Sequence, residues 1–154
     1  MSSLKKLSLI GICVAGIAGI TVYAQEAAKP RELEPLVSIM EIMQQTITPA
    51  TNQLWSAWEP PTTPREWRLM EEAAITLLGA TSLNATGGTG EMDNTWVQDP
   101  RWQAFNQVMI NAGQAALEAS RNQDAEALLA AGDLLLPPCE GCHQAFNPAV
   151  IGAR

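Results

Sequence analysis

The sequence of 154 residues predicts an all-α fold, a four-helix bundle. Apolar residues recur every third or fourth position and do not alternate, which is the spacing of amphipathic helices. Pro64 and Pro100 stand where two of these segments begin, and proline is favoured in the first turn of a helix. Four such segments bury their apolar faces most simply against one another.

The first predicted helix runs from about Glu34 to Trp58. Pro49 should kink it or end its first part, because proline cannot donate a helical hydrogen bond. The apolar stripe of this helix is Leu36, Ile39, Met40, Met43 and Ile47.

The second predicted helix begins near Pro64. Its apolar stripe is Trp67, Met70, Ala74, Leu77 and Leu78. The next stretch, from Ala80 to Asp99, contains Gly87, Gly88 and Gly90 and is therefore predicted to be a long loop.

The third predicted helix opens at Pro100 and ends at a short polar turn, Arg121 to Asp124. Its stripe is Phe105, Met109, Ala112, Ala116 and Ala119. Asp124 is a suitable N-cap for the fourth helix, because its carboxylate can accept a free backbone N–H of the first turn.

The fourth predicted helix places five residues on one face, namely Leu128, Leu129, Gly132, Leu135 and Leu136. Pro137 and Pro138 follow directly. They predict a kink or a fresh helical start that uses Pro138 near its first position.

The N-terminus has the pattern of a secretory leader. Lys5 and Lys6 precede an apolar run, Leu7 to Val22, and Tyr23-Ala24 ends a small-residue cleavage site. Residues 1–24 are therefore predicted to be a signal peptide that directs export to the periplasm, and residues 25–154 a single domain. Cys13 would be discarded with the leader, and an uncleaved membrane anchor is the alternative.

The chain is acidic, with nine Lys and Arg against sixteen Asp and Glu and a net charge of −7. The leader contains two of the basic residues and none of the acidic ones, so the predicted mature chain has a formal charge of −9. This charge argues against nucleic acid and anionic membranes as partners and favours a cationic protein face. The alternative is that acidity only keeps the protein soluble.

The most specific motif lies near the C-terminus, in Cys139-Glu140-Gly141-Cys142-His143. C-x-x-C-H is the attachment pattern of haem c. Two thiols add across the two vinyl groups of one porphyrin, and the adjacent imidazole reaches the iron. Residues at i, i+3 and i+4 share one helical face, so Cys139, Cys142 and His143 can address one macrocycle. The sequence predicts one covalent haem c.

Two other readings of C-x-x-C are weaker. A structural zinc site uses four nitrogen or sulfur ligands, but the predicted mature chain has only Cys139, Cys142 and His143. A thioredoxin-like motif belongs to a βαβ pattern, and the surrounding sequence is helical.

A haem motif at the C-terminal end of a four-helix chain resembles the class II cytochromes c, the cytochrome c′ family. The resemblance spans residues 25–154 and is most specific from Phe105 to Phe146. It implies that Cys139 and Cys142 bind the porphyrin and that His143 is the proximal iron ligand. The first helix, with Met40 and Met43, would then pass over the distal face of the haem.

The sequence departs from this family around the haem. Phe146 is followed by Asn147, where family members usually have Arg or Lys. The proximal pocket therefore lacks its usual cation. Family members also often have a basic residue early in the first helix, near the haem propionates, but this chain has none between Arg31 and Arg65. The candidates to take its place are Arg65, Arg68, Arg101 and Arg121, and the sequence does not choose among them.

The distal ligand decides between two functions. His143 is the only histidine, so the sixth position in one protomer is methionine or open. Methionine ligation, with Met40 preferred and Met43 as the substitute, predicts an electron carrier. An open position predicts a five-coordinate protein that binds NO or CO.

Enzymatic activity is not expected, because the sequence shows no nucleophile and base pair, phosphate loop or metal cluster apart from the haem motif. The expected partners are redox proteins. The resemblance also allows a homodimer.

Overall fold

The computed structural model describes residues 34–147. The predicted signal peptide lies outside this range. The described residues form helices, turns and loops without a strand, which confirms the all-α class. Within residues 34–147, no helix has both the length and the apolar character needed to cross a membrane.

The chain starts with a composite helical segment, Ile39–Trp58, called here the first arm. It consists of α1 (Ile39–Ile42), a π-helical turn (Met43–Ile47), α2 (Thr48–Trp55) and a 3₁₀ turn (Ser56–Trp58).

Ser38, at the start of α1, forms a capping box with Glu41. The Ser38 hydroxyl accepts the Glu41 N–H at 3.2 Å, and the Glu41 carboxylate accepts the Ser38 N–H at 2.8 Å. Leu36 therefore lies before the helix and is 92% exposed, so its predicted place on the apolar stripe was wrong.

The π-helical turn lies just before Pro49. This proline has no N–H to donate to the carbonyl of Gln45, four residues earlier. The Thr48 N–H instead donates to the Met43 carbonyl, five residues back, and the helix widens locally. Pro49 was predicted to kink the helix or end its first part, and the structure has a π turn there, after which the chain continues without a gap as α2.

The second long helix, α3 (Pro64–Asn84), begins where Pro64 predicted it. Thr63 and Glu66 form its capping box. The helix continues to Asn84, so the predicted start of the loop at Ala80 was wrong. The connection that follows contains one short helix, α4 (Asp93–Trp96).

The third long helix, α5 (Pro100–Asn122), also begins at the predicted proline. Its end is marked by Gln123, whose φ of 53° is left-handed. The next helix, α6 (Ala125–Asp133), is capped by Asp124, which accepts the Ala127 N–H at 3.0 Å. Both the polar turn and the Asp124 cap are confirmed.

The chain then breaks and restarts as α7 (Leu136–Phe146), with prolines in its first turn. The first-turn N–H groups of a helix have no intrahelical acceptor, so a proline in that turn costs the helix no hydrogen bond. The predicted fresh start before the motif is confirmed.

The helices pack around one main core. α3 packs against α5, α5 against α6 and α7, and α2 against both α3 and α6. Trp55 also joins α2 to α6, since its indole N–H donates to the Gly132 carbonyl at 2.9 Å. The most deeply buried apolar side chains of this core are Leu54, Ala74, Leu77, Ala112, Ala116, Leu128, Ala131 and Leu135.

The predicted stripe of the fourth helix was partly wrong. Leu129 is 45% exposed, and Leu136 is similarly exposed, whereas Leu128 and Leu135 are buried. The break before α7 changes the helical phase, so Leu136 does not continue the face of α6.

The glycine-rich loop is tied to the start of the first arm by Asp93. The Asp93 Oδ2 atom accepts the N–H of Ile39 and the N–H of Gly90, each at 2.8 Å, and Asp93 is only 3% exposed. Gly88 lies so close that an added Cβ would stand 2.8 Å from the Ile39 nitrogen. This contact fixes where α1 begins.

Candidate functional site

The three motif residues lie together on α7, as their spacing predicted. Cys139, Cys142 and His143 all line one cavity of about 320 Å³, which is the larger of two adjoining cavities and is called here the larger cavity. Cys142 is buried, and Cys139 and His143 are half-buried. One helical turn thus directs two thiols and an imidazole to a single space.

The thiols of this site are held in their neutral form. Burial raises the pKa of Cys139 to about 11, and the neighbouring Glu140 carboxylate adds to the effect. Burial also raises the pKa of Cys142 to about 12, with a further contribution from Cys139. Reactive cysteines of thioredoxin-like proteins instead have lowered pKa values. The environment is therefore unlike that of a dithiol redox centre.

The rest of the lining of the larger cavity comes mainly from the first arm. Met43, Ile47, Thr48, Thr51 and Trp55 line it. Their positions follow the arm along its length, from the π turn to the end of α2. The Oγ1 atom of Thr51 is buried and has no hydrogen-bond partner among residues 34–147.

A second space, the smaller cavity of about 180 Å³, adjoins the first. The residues common to both cavities are Met43, Thr48, Cys142 and His143. The motif and the π turn thus stand between two adjoining spaces. Ligand-binding pockets usually measure roughly 300 to 1,000 Å³, so the pair has the size of a cofactor site.

Aromatic rings form one end of the smaller cavity. Trp96 stacks on Trp102 at a centroid distance of 5.6 Å. Phe146 meets Trp102 edge-on at 5.1 Å. The indole N–H of Trp102 donates to the Asn84 carbonyl at 3.1 Å, which fixes the ring.

Arg101, on α5, is a cation in contact with Phe146, three residues after the motif. Its guanidinium carbon lies 5.4 Å from the centroid of the Phe146 ring, within the range of a cation–π contact. Arg101 also forms an ion pair with Asp99 at 2.7 Å. Hydrogen bonds from Arg101 lower the pKa of Asp99.

The two candidate methionines occupy different positions. Met43 is half-buried and lines both cavities with His143. Met40 lines only the smaller cavity and is 43% exposed. Ligation by Met40 stays a prediction, and Met43 shares with His143 one cavity more than Met40 does.

Sequence reasoning missed the phase of the first arm. Ser38 and Glu41 have the S-x-x-E spacing of a capping box, so the sequence contained a signal that places the helical start after Ser38. The π turn, which changes the register after Met43, has no comparable signature apart from Pro49.

Neither protein-family models, curated proteins nor solved structures gave a match to this chain. Among residues 34–147, no group of three or more His, Cys, Asp or Glu side chains is arranged to hold a metal ion by itself.

Proposed function

We propose that the protein is a periplasmic class II c-type cytochrome with one covalent haem, and that it carries single electrons between redox proteins. One observation carries the proposal: Cys139, Cys142 and His143 line the same cavity as Met43 of the first arm. In this proposal the first arm, α3, α5 and the pair α6–α7 are the four helices of a bundle. The predicted leader supports export.

The residues of the site suit a porphyrin. Cys139 and Cys142 would each form a thioether, in which the sulfur bonds one vinyl carbon and the thiol hydrogen goes to the other. This addition needs no net oxidation, and the neutral thiols contain the required hydrogen. His143 would bind the iron through one ring nitrogen. A bound haem supplies the one-electron Fe(III)/Fe(II) couple.

The surrounding side chains would set the polarity of the site. Ile47 and Met109 line the larger cavity, while Trp96, Trp102 and Phe146 line the smaller one. These groups exclude water, and a dry environment is one of the means by which a protein tunes the reduction potential of a haem.

The placement of the methionines supports Met43 as the sixth ligand over Met40. Met43 lines both cavities and is the first residue of the π turn, a local departure of a kind often found at functional sites. A thioether ligand raises the reduction potential of the iron, and a six-coordinate haem reorganises little when it gains or loses an electron.

Absorption spectra test this function. The protein would be matured with haem c and measured oxidised and reduced, with and without CO, together with Met43→Ala and Met40→Ala. We expect a low-spin spectrum that CO does not change in the wild type and in Met40→Ala. Met43→Ala should become high-spin and bind CO.

The variants also distinguish the remaining outcomes. If Met40→Ala alone opens the site, Met40 is the ligand and the carrier function stands. A wild-type protein that is high-spin and binds CO contradicts the carrier function and indicates a five-coordinate protein for NO or CO. A matured protein that contains no covalent haem contradicts both.

A further inference from the structure

An apolar groove opens on the surface between the end of the first arm and α6. Its volume is about 360 Å³. Trp58, on the 3₁₀ turn, is 70% exposed, and Leu129 and Leu136 are also exposed. The full lining is Leu54, Trp55, Trp58, Leu129, Gly132, Asp133 and Leu136. Contiguous exposed apolar surface of this kind is typical of interaction sites.

The groove shares a wall with the larger cavity. Trp55 and Leu136 line both spaces. Trp55 cannot turn away easily, because its indole N–H is bonded to the Gly132 carbonyl. A molecule seated in the groove would therefore lie one side chain away from the site at Cys139 and His143.

The elements that line the groove, namely the first arm, α6 and α7, have charged side chains of one sign. Within residues 34–147 every Lys or Arg belongs to α3 or α5, and these residues are Arg65, Arg68, Arg101 and Arg121. The first arm and the pair α6–α7 contain neither Lys nor Arg. They contain carboxylates instead, and one more carboxylate directly follows the first arm. These residues are Glu41 on the first arm, Glu59 after it, Glu126 and Asp133 on α6, and Glu140 on α7.

Two of these carboxylates flank the apolar surface directly. Glu126, Leu129 and Asp133 are spaced i, i+3 and i+7 on α6, so they share one helical face. Both carboxylates are exposed. The groove is thus an apolar centre with an acidic border.

We propose that this groove docks a cationic redox partner protein. An apolar side chain of the partner would enter between Trp58 and Leu129, and its Lys or Arg residues would face Glu126 and Asp133. The inference rests on the proposed electron-carrier function, since it places the partner beside the haem site. If two copies of this chain met through this face, their acidic borders would repel each other. Self-association through the groove is therefore disfavoured.

Titration by NMR tests the docking site. The probe is a strongly basic mitochondrial cytochrome c whose iron is replaced by zinc, so that binding is measured without electron transfer. It is added to the ¹⁵N-labelled mature holoprotein at low and at physiological ionic strength. The largest shifts should fall on Trp58, Leu129 and Asp133, and binding should weaken with salt.

Charge reversal supplies the matched variants. Asp133→Lys should weaken binding by about tenfold at low ionic strength, because it places a like charge against the partner. Glu118→Lys, on an exposed position of α5, changes the net charge equally and should alter affinity by no more than about twofold. Leu129→Ser should weaken binding, whereas Leu83→Ser on α3 should not.

Three results would overturn the docking proposal. They are shifts confined to the α3–α5 face, equal losses in Asp133→Lys and Glu118→Lys, and the absence of binding. Concentration-dependent shifts without the probe that vanish in Leu129→Ser would show that a second copy occupies the groove. The haem content of the protein is measured in a separate absorbance experiment. A protein without haem would show that the proposed function itself fails, whatever the docking result.

Discussion

Replacing Asp93 with alanine should destabilise the protein strongly, because this carboxylate ties the glycine-rich loop to the first arm. Its Oδ2 atom accepts two backbone N–H groups, from Ile39 and Gly90, each at 2.8 Å. Asp93 is buried, so the alanine variant leaves both donors without their acceptor. Each loss costs about 1 to 3 kcal/mol, and we expect a decrease of about 3 to 5 kcal/mol in the free energy of unfolding.

Urea denaturation followed by circular dichroism measures this change. Asp93→Asn is the matched control, because its side-chain oxygen can replace Oδ2 and accept both N–H groups. It keeps the two hydrogen bonds and removes only the negative charge. It should cost about 1 to 2 kcal/mol. Glu91→Ala, an exposed neighbour on the same loop, should change stability by less than about 0.5 kcal/mol.

The result that would refute the reasoning is an Asp93→Ala variant within about 1 kcal/mol of the wild type. Equal losses for Asp93→Asn and Asp93→Ala would show that the charge, and not the pair of hydrogen bonds, holds the loop. Because Ile39 is the first residue of the arm that presents Met43, Asp93→Ala should also make the matured protein more accessible to CO.

Three further predictions concern acid stability and packing. Hydrogen bonds from Thr62 and Thr63 lower the Glu66 pKa to about 2, so this stabilisation is present above about pH 4.5 and is lost as the pH falls towards 2. The Tm of Glu66→Gln should therefore lie below that of the wild type at pH 6, and the gap should close on acidification; a gap independent of pH would contradict this. Gly141→Ala would place a Cβ 2.7 Å from Phe105 and should cost about 1 to 3 kcal/mol in urea denaturation, less when combined with Phe105→Leu; additive losses would argue against the clash. Leu128→Ala should cost about 2 to 5 kcal/mol, because Leu128 is fully buried, and a cost as small as that of Leu129→Ala would contradict the burial pattern.

The starts of α3, α5 and α6 were predictable because they depend on local chemistry. Pro64 and Pro100 occupy first turns, and Asp124 caps α6, as these residue types do in isolation. The restart after the break at Leu134 and Leu135 follows in the same way from the prolines of α7.

The role of Asp93 was not predictable from its surroundings in the sequence. An acidic residue in a glycine-rich stretch normally indicates an exposed loop. Its burial depends on two backbone donors, one of them 54 positions away. Contacts at such separations leave no periodic signal.

The motif was predictable as a shared helical face, but its distal partner was not. The choice between Met40 and Met43 depends on helical phase, which the start after Ser38 and the π turn both alter. The aromatic group of Trp96, Trp102 and Phe146 joins the loop, α5 and α7, and only the tertiary fold brings these rings together.

The most direct test of the account is the intact mass of the protein, expressed with the machinery that attaches haem c and measured after denaturation. We expect the mass of residues 25–154 plus one haem, and the mass of residues 25–154 alone in the Cys139→Ala/Cys142→Ala double variant. A wild-type chain without the added haem, or haem that dissociates on denaturation, would contradict the central claim.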